Sequence, residues 1–219
     1  MNEQDHQKEV PHSLYVSLIL DESGSMQSCK RAAIVGFNQY VKSLTDEPAA
    51  TWFTLTLFNS RRTEVRYRGV PVATVPELDV ETYRPQDTTP LYDAIGQTLA
   101  TARKEAPASF KKLCVILTDG LENASKEFTR KQIFGLIKDC EKEGWRFVYL
   151  GADHDVWAAG EDIGVAQECR VAFSKTDITG TFAELSAMNA QYRRGMEHSE
   201  RAFRPLKKLP SDLRSEEAE

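Results

Sequence analysis

Short apolar or β-branched runs alternate along this chain with longer stretches in which apolar residues recur every three or four positions. The short runs predict strands at 14–20, 51–59, 63–69, 112–118, 146–151 and 170–173. The longer stretches predict helices at 30–44, 91–105, 129–143, 156–164 and 182–203. Strands alternating with helices require crossover connections, so the pattern predicts a doubly wound α/β fold: a mostly parallel central sheet with helices on both faces. Only Ser60, Arg61 and Arg62 separate the second and third strands. That connection is too short for a crossover and predicts a hairpin, with one antiparallel strand at a sheet edge. The charged and aromatic residues from Glu64 to Arg68 suit a half-exposed edge. The pattern divides the chain into an N-terminal tail (1–12), one domain that includes the last helix (13–204) and a charged C-terminal tail (205–219).

Composition narrows the function classes. The 219 residues are 41% hydrophobic and 28% charged, enough for a packed globular core. Acidic residues outnumber basic ones by 33 to 28, a net charge of −5, which argues against a nucleic-acid partner. The first twelve residues are polar, and no window carries the roughly 18 apolar residues of a membrane span, so no membrane association is expected. Cys29, Cys114, Cys140 and Cys169 form no C-x-x-C pair. Free thiols in a reducing cytoplasm are the expectation.

Candidate chemistry gathers where predicted strands end. In L-I-L-D-E-S-G-S-M (18–26), a buried run delivers Asp21, Ser23 and Ser25 into a turning loop. Three oxygen-bearing side chains at i, i+2 and i+4 can converge on a hard cation, although Asp and Ser at such a turn also serve as helix caps. A second buried run, Val115 to Thr118, ends in Asp119 and Gly120. Q-D-T-T-P-L-Y-D-A-I (86–95) places Thr88 and Thr89 just before a helix. In an open parallel sheet the carboxyl ends of strands line the ligand crevice, so three loops can meet over one ion.

These three segments together, D-E-S-G-S, T-T-P-L-Y-D-A-I and I-L-T-D-G, resemble the von Willebrand factor A domains, also called integrin I-like domains, over roughly residues 13–173. The resemblance implies a metal-ion-dependent adhesion site (MIDAS) with Asp21, Ser23, Ser25, Thr89 and Asp119 as the metal residues. It implies Mg²⁺ as the ion, with Mn²⁺ or Ca²⁺ as substitutes. The family often has glycines where this chain has Asp87 and Thr88, which leaves Thr88 as an alternative to Thr89; T-P-L-Y-D matches the family wording better with Thr89. The implied function is non-enzymatic. It is capture of a Glu or Asp of a partner protein by a cytoplasmic, prokaryotic-type adaptor that serves a multiprotein machine such as one built on an AAA+ ATPase.

Two other functions remain open. Asp21 could be the nucleophile of a metal-dependent phosphohydrolase resembling the haloacid dehalogenase group, but Ser23 stands where that chemistry places its general acid. Alternatively, the chain is a metal-independent scaffold that binds through its last helix, where Phe182, Leu185, Met188, Tyr192, Met196 and Phe203 make one apolar stripe. The same stripe also suits simple docking on the sheet. The basic residues Arg193, Arg194, Arg201, Arg204, Lys207 and Lys208 lie near it, as a solvated face or an attraction for an acidic protein. His154, between Asp153 and Asp155, is either a rim residue of the crevice or a solvated neighbour of a helix cap. Asp93 is either an early-helix acid or an outer partner of the metal hydroxyls, and Glu122 and Asn123 are expected to shape the rim.

Overall fold

A computed structural model describes residues 12–152, 156–175 and 177–195. The strands are β1 (Leu14–Asp21), β2 (Thr51–Asn59), β3 (Arg62–Pro71), β4 (Lys111–Thr118), β5 (Trp145–Ala152) and β6 (Arg170–Phe173). The helices are α1 (Lys30–Thr45), α2 (Leu91–Glu105), α3 (Arg130–Lys142), α4 (Val156–Asp162) and α5 (Ile178–Arg193). The strands form one sheet in the order β3-β2-β1-β4-β5-β6. Every neighbouring pair is parallel except β2 with β3, which is antiparallel at the edge. The expected doubly wound α/β architecture with its antiparallel edge strand is therefore what the chain adopts.

β1 is flanked by β2 and β4 and is buried along its whole length, which is why its sequence, L-Y-V-S-L-I-L-D, is almost continuously apolar. Successive side chains point to opposite faces. Leu14, Val16, Leu18 and Leu20 join the core beneath α1 and α5, while Tyr15 and Ile19 join the core beneath α2 and α3. β3 is only partly buried. Gly69 there adopts a left-handed φ of 55° and donates its N–H to Thr54 Oγ1 at 3.0 Å, close to the register shift between β2 and β3. Among the described residues no helix is long and apolar enough to cross a membrane.

The last helix departs from expectation at both ends. Asp177 caps it by accepting from the Gly180 N–H, so it begins four residues earlier than the apolar stripe suggested. It stops at Arg193, and Gly195 follows with a left-handed φ of 76° that a helix cannot continue. Phe182, Leu185, Met188 and Tyr192 are buried against α1 and the sheet, so this part of the stripe is core. Gly36 of α1 permits that approach: a Cβ there would lie 2.3 Å from Phe182 Cδ2. Met196, Phe203 and the basic residues from Arg201 onward lie outside the described residues, as do both expected tails apart from His12.

Candidate metal centre

β1 and β4 lie side by side and end on the same edge of the sheet. From β1 the chain proceeds to β2 on one side, whereas β4 and β5 extend the sheet on the other. The crevice at such a reversal is where open α/β sheets hold ligands. Asp21 closes β1 and is fully buried. Its Oδ1 accepts the Ser23 backbone N–H at 2.7 Å, and its Oδ2 accepts the Thr118 hydroxyl at 2.5 Å. Burial pushes its carboxyl up from 3.8 to about 6, against the pull of those hydrogen bonds and with some help from the nearby Asp119 charge.

After Asp21 the chain turns into a 3₁₀ segment, Gly24–Cys29, which brings Ser25 back towards the end of β4. The Ser23 and Ser25 hydroxyl oxygens are 3.1 Å apart, and Ser25 Oγ donates to Asp119 Oδ1 at 2.5 Å. The Asp119 side chain is fully buried, and its Oδ2 lies 2.7 Å from the Lys175 ammonium as an ion pair without hydrogen-bond alignment. Lys175 lies in the connection from β6 to α5.

The third loop is pinned to the first. Gln86 donates its N–H to the Glu22 carbonyl at 3.0 Å, and Gly24 donates to the Asp87 carbonyl at 2.9 Å. Asp87 takes a left-handed φ of 63°, a conformation a non-glycine residue adopts only when its surroundings impose it. The loop then separates the two threonines. Thr88 is exposed and exchanges hydrogen bonds with Ser60, whereas Thr89 is buried. Thr89 donates its N–H to Asn123 Oδ1 at 2.9 Å, and the Asn123 N–H returns a bond to the Thr89 carbonyl at 3.1 Å. A Cβ on Gly120 would stand 2.9 Å from Thr89 Oγ1 and 3.5 Å from Ser25 Oγ, so both hydroxyls border the space a side chain at 120 would fill. The structure therefore brings Asp21, Ser23, Ser25, Thr89 and Asp119 to one place and leaves Thr88 outside it.

Several residues that build the site carry no local signal. Thr118 holds Asp21 from the neighbouring strand. Tyr83 donates its hydroxyl to the Asp21 carbonyl at 2.5 Å. Glu22 is buried against Arg62, at 3.2 Å, and the Arg84 N–H, at 2.6 Å. Asp93 accepts the backbone N–H groups of Lys126, Glu127 and Phe128, so it fastens the loop after β4 to α2 and bonds no metal-site hydroxyl. Glu122 accepts from the backbone of Tyr92, Ala124 and Ser125, making it a clasp between the same two segments. Asp153, His154 and Asp155 lie outside the described residues.

The donor set suits a hard divalent cation. It is all oxygen, with three neutral hydroxyls and two buried carboxylates that repel each other, and Gly120 keeps clear the space between Ser25 and Thr89. Among the described residues no three His, Cys, Asp or Glu side chains gather as a metal site, so an ion here would depend on the hydroxyls.

No family model matches the chain, and no curated protein does. Solved structures do. Proximal thread matrix protein 1 of the mussel byssus aligns with a TM-score of 0.57 at 17% identity, covering 80% of this chain and 46% of that one. A form of the same protein with a zinc-occupied MIDAS motif aligns with a TM-score of 0.56 at 17% identity, covering 80% of this chain and 45% of that one. A von Willebrand factor type A protein from Catenulispora acidiphila aligns with a TM-score of 0.56 at 14% identity, covering 83% of this chain and 43% of that one. The chain thus spans less than half the length of these structures. Strand order, the antiparallel edge and the structural matches together show that this chain folds as a von Willebrand factor A-like domain.

Proposed function

We propose that the carboxyl edge of the sheet is a divalent-cation site, Mg²⁺ in the cell, through which the protein captures a Glu or Asp carboxylate of a partner protein. The observation that carries this reading is the convergence of Asp21, Ser23, Ser25, Thr89 and Asp119 from three loops. Ser23, Ser25 and Thr89 would hold the ion as neutral ligands, and Asp21 and Asp119 would supply the negative charge. An ion held by these residues would supply Lewis acidity to an incoming oxygen. Ser25 is exposed and Asp119 and Gly120 border the rim, so a partner carboxylate can approach. The zinc-occupied MIDAS motif of the mussel protein supports the metal assignment by analogy of fold.

Binding is favoured over phosphoryl transfer by the state of Asp21. Each of its oxygens already accepts a hydrogen bond, and the residue is buried, which is poor placement for a nucleophile. Ser23 supplies no acid where that chemistry would need one. A cytoplasmic adaptor in a multiprotein machine, including one driven by an AAA+ ATPase, is the setting this reading favours; the four unpaired cysteines fit it.

The test is calorimetric titration of the protein with Mg²⁺ and Mn²⁺, followed by affinity capture in Mg²⁺ and in EDTA beside Asp119→Ala. Saturable one-site binding lost in the variant, with partners retained only by metal-loaded wild type, is the expected result. Partners indifferent to both changes would overturn the metal bridge, and Mg²⁺-dependent phosphate-ester hydrolysis lost in Asp21→Asn would establish the phosphohydrolase instead.

A further inference from the structure

The Lys175–Asp119 ion pair lies at the same carboxylate that the metal would use. Its geometry is unusual for a surface lysine. β6 is two strands away from β4, a separation of roughly 10 Å at the usual strand spacing. The connection after Phe173 nonetheless brings the Lys175 ammonium to within 2.7 Å of a fully buried carboxylate that follows β4. The lysine side chain itself is 34% exposed, so a partly solvated side chain ends in a charge that meets a buried acid. The neighbourhood explains the attraction. Asp21 and Asp119 are two buried acids close enough to feel each other, and the hydroxyl groups around them are neutral.

We propose that Lys175 is a tethered counter-cation that competes with the divalent ion for Asp119. Resting on the metal-site reading above, this makes cation loading an exchange. An ammonium and a divalent ion cannot both hold contact distance to one carboxylate without strong mutual repulsion. Entry of the ion therefore drives the Lys175 ammonium off Asp119 and onto the rim, where the partner's carboxylate arrives. The apparent metal affinity is lowered by the strength of the ion pair. The freed ammonium adds a second positive contact for an acidic ligand once the ion is in place.

The experiment compares wild type, Lys175→Met and Lys175→Arg by Mn²⁺ titration at low salt. Lys175→Met keeps an unbranched side chain only one atom shorter, without its charge, and is expected to bind Mn²⁺ about tenfold more tightly. Lys175→Arg should stay near wild type. Equal or weaker binding by Lys175→Met overturns the competition. If wild type binds Mn²⁺ and Lys175→Met gains nothing, only this inference falls; if neither binds at millimolar Mn²⁺, the metal site falls with it. A second measurement needs no variant at 175. Acylation of Lys175 by a lysine-reactive ester, read by peptide mass spectrometry, should rise several-fold on saturation with Mg²⁺ in wild type and stay constant in Asp119→Asn. Labelling of wild type that ignores Mg²⁺ overturns the proposal even if Lys175→Met fails to fold.

Discussion

The two ends of this sheet both bury charge, and they do it in opposite ways. At the amino end, the Arg193 side chain of α5 is buried among neutral acceptors: the His12 carbonyl at 3.2 Å, the Ala49 carbonyl at 3.3 Å and the Thr51 hydroxyl. The His12 N–H also donates to the Arg193 carbonyl at 3.0 Å. Burial pulls the guanidinium pKa down, yet a guanidinium stays charged in proteins, so the arrangement has one state. At the carboxyl end, Asp21 and Asp119 are met by hydroxyls, which rotate, and by the end of a long lysine side chain. The first arrangement ties the last helix to the starts of β1 and β2. The second holds excess negative charge that an ion, a proton or an ammonium can each compensate. Acceptors supplied mainly by fixed backbone carbonyls make a fastening, whereas adjustable donors around acids make a site.

If that contrast is right, Arg193→Ala should produce the largest stability loss, about 3 kcal/mol in urea unfolding, because a fully buried side chain and its bonds to the His12 and Ala49 carbonyls and the Thr51 hydroxyl are lost together. Metal affinity should stay within about twofold of wild type. The opposite end should respond with the opposite sign. The folded chain holds the Asp21 proton more tightly than the unfolded one, since burial lifts this carboxyl to about 6 from 3.8. Its favourable contribution to the metal-free protein is complete below pH 3.8 and disappears as pH rises through 6.

Asp21→Asn should therefore stabilise the metal-free protein at pH 7 by about 1–3 kcal/mol, flatten its pH dependence between those values and abolish metal binding. A destabilised Asp21→Asn would break the comparison. In wild type, metal affinity should fall about tenfold per pH unit below about 6, where one proton competes with the ion, as titrations at stepped pH would show. Thr118→Val removes a donor from Asp21 and should cost about 1–2 kcal/mol while moving that pH midpoint upward. The smallest effect is expected from Asn123→Ala, which loosens Thr89 through its backbone and should weaken Mn²⁺ binding by a few-fold, measurable by calorimetry.

Most of the fold was legible because strands that lie inside a parallel sheet must be apolar on both faces. The runs ending at Asp21 and at Thr118 are apolar enough to mark interior strands, while their adjacency was set by the folded sheet. The Ser60–Arg61–Arg62 connection announced the antiparallel edge, though Arg62 itself belongs to β3, because Asn59 Oδ1 accepts from the Arg61 and Arg62 N–H groups and tightens the turn. The last helix was harder to bound. Apolar spacing locates a face, but the start was decided by the Asp177 cap and the end by Gly195, neither of which alters that spacing. Asp93 does stand in the first turn of α2, one of the two roles open to it, but its carboxylate is spent on backbone groups more than 30 residues away in sequence, which no local pattern announces.

For the candidate site, the sequence alone determined the chemical types and the strand ends that carry them: two carboxylates and three hydroxyls on loops that follow or precede regular elements. The tertiary structure decided between Thr88 and Thr89, because burial of one and the two-way bonding with Asn123 depend on a loop from beyond β4. It also decided the partners of the acids, Thr118 for Asp21 across 97 residues and Lys175 for Asp119. Residue type and spacing act through local geometry, which a reader of sequence can follow. The charge balance of a buried carboxylate depends on whatever the packed chain brings within about 3 Å, and only folding brings those groups together.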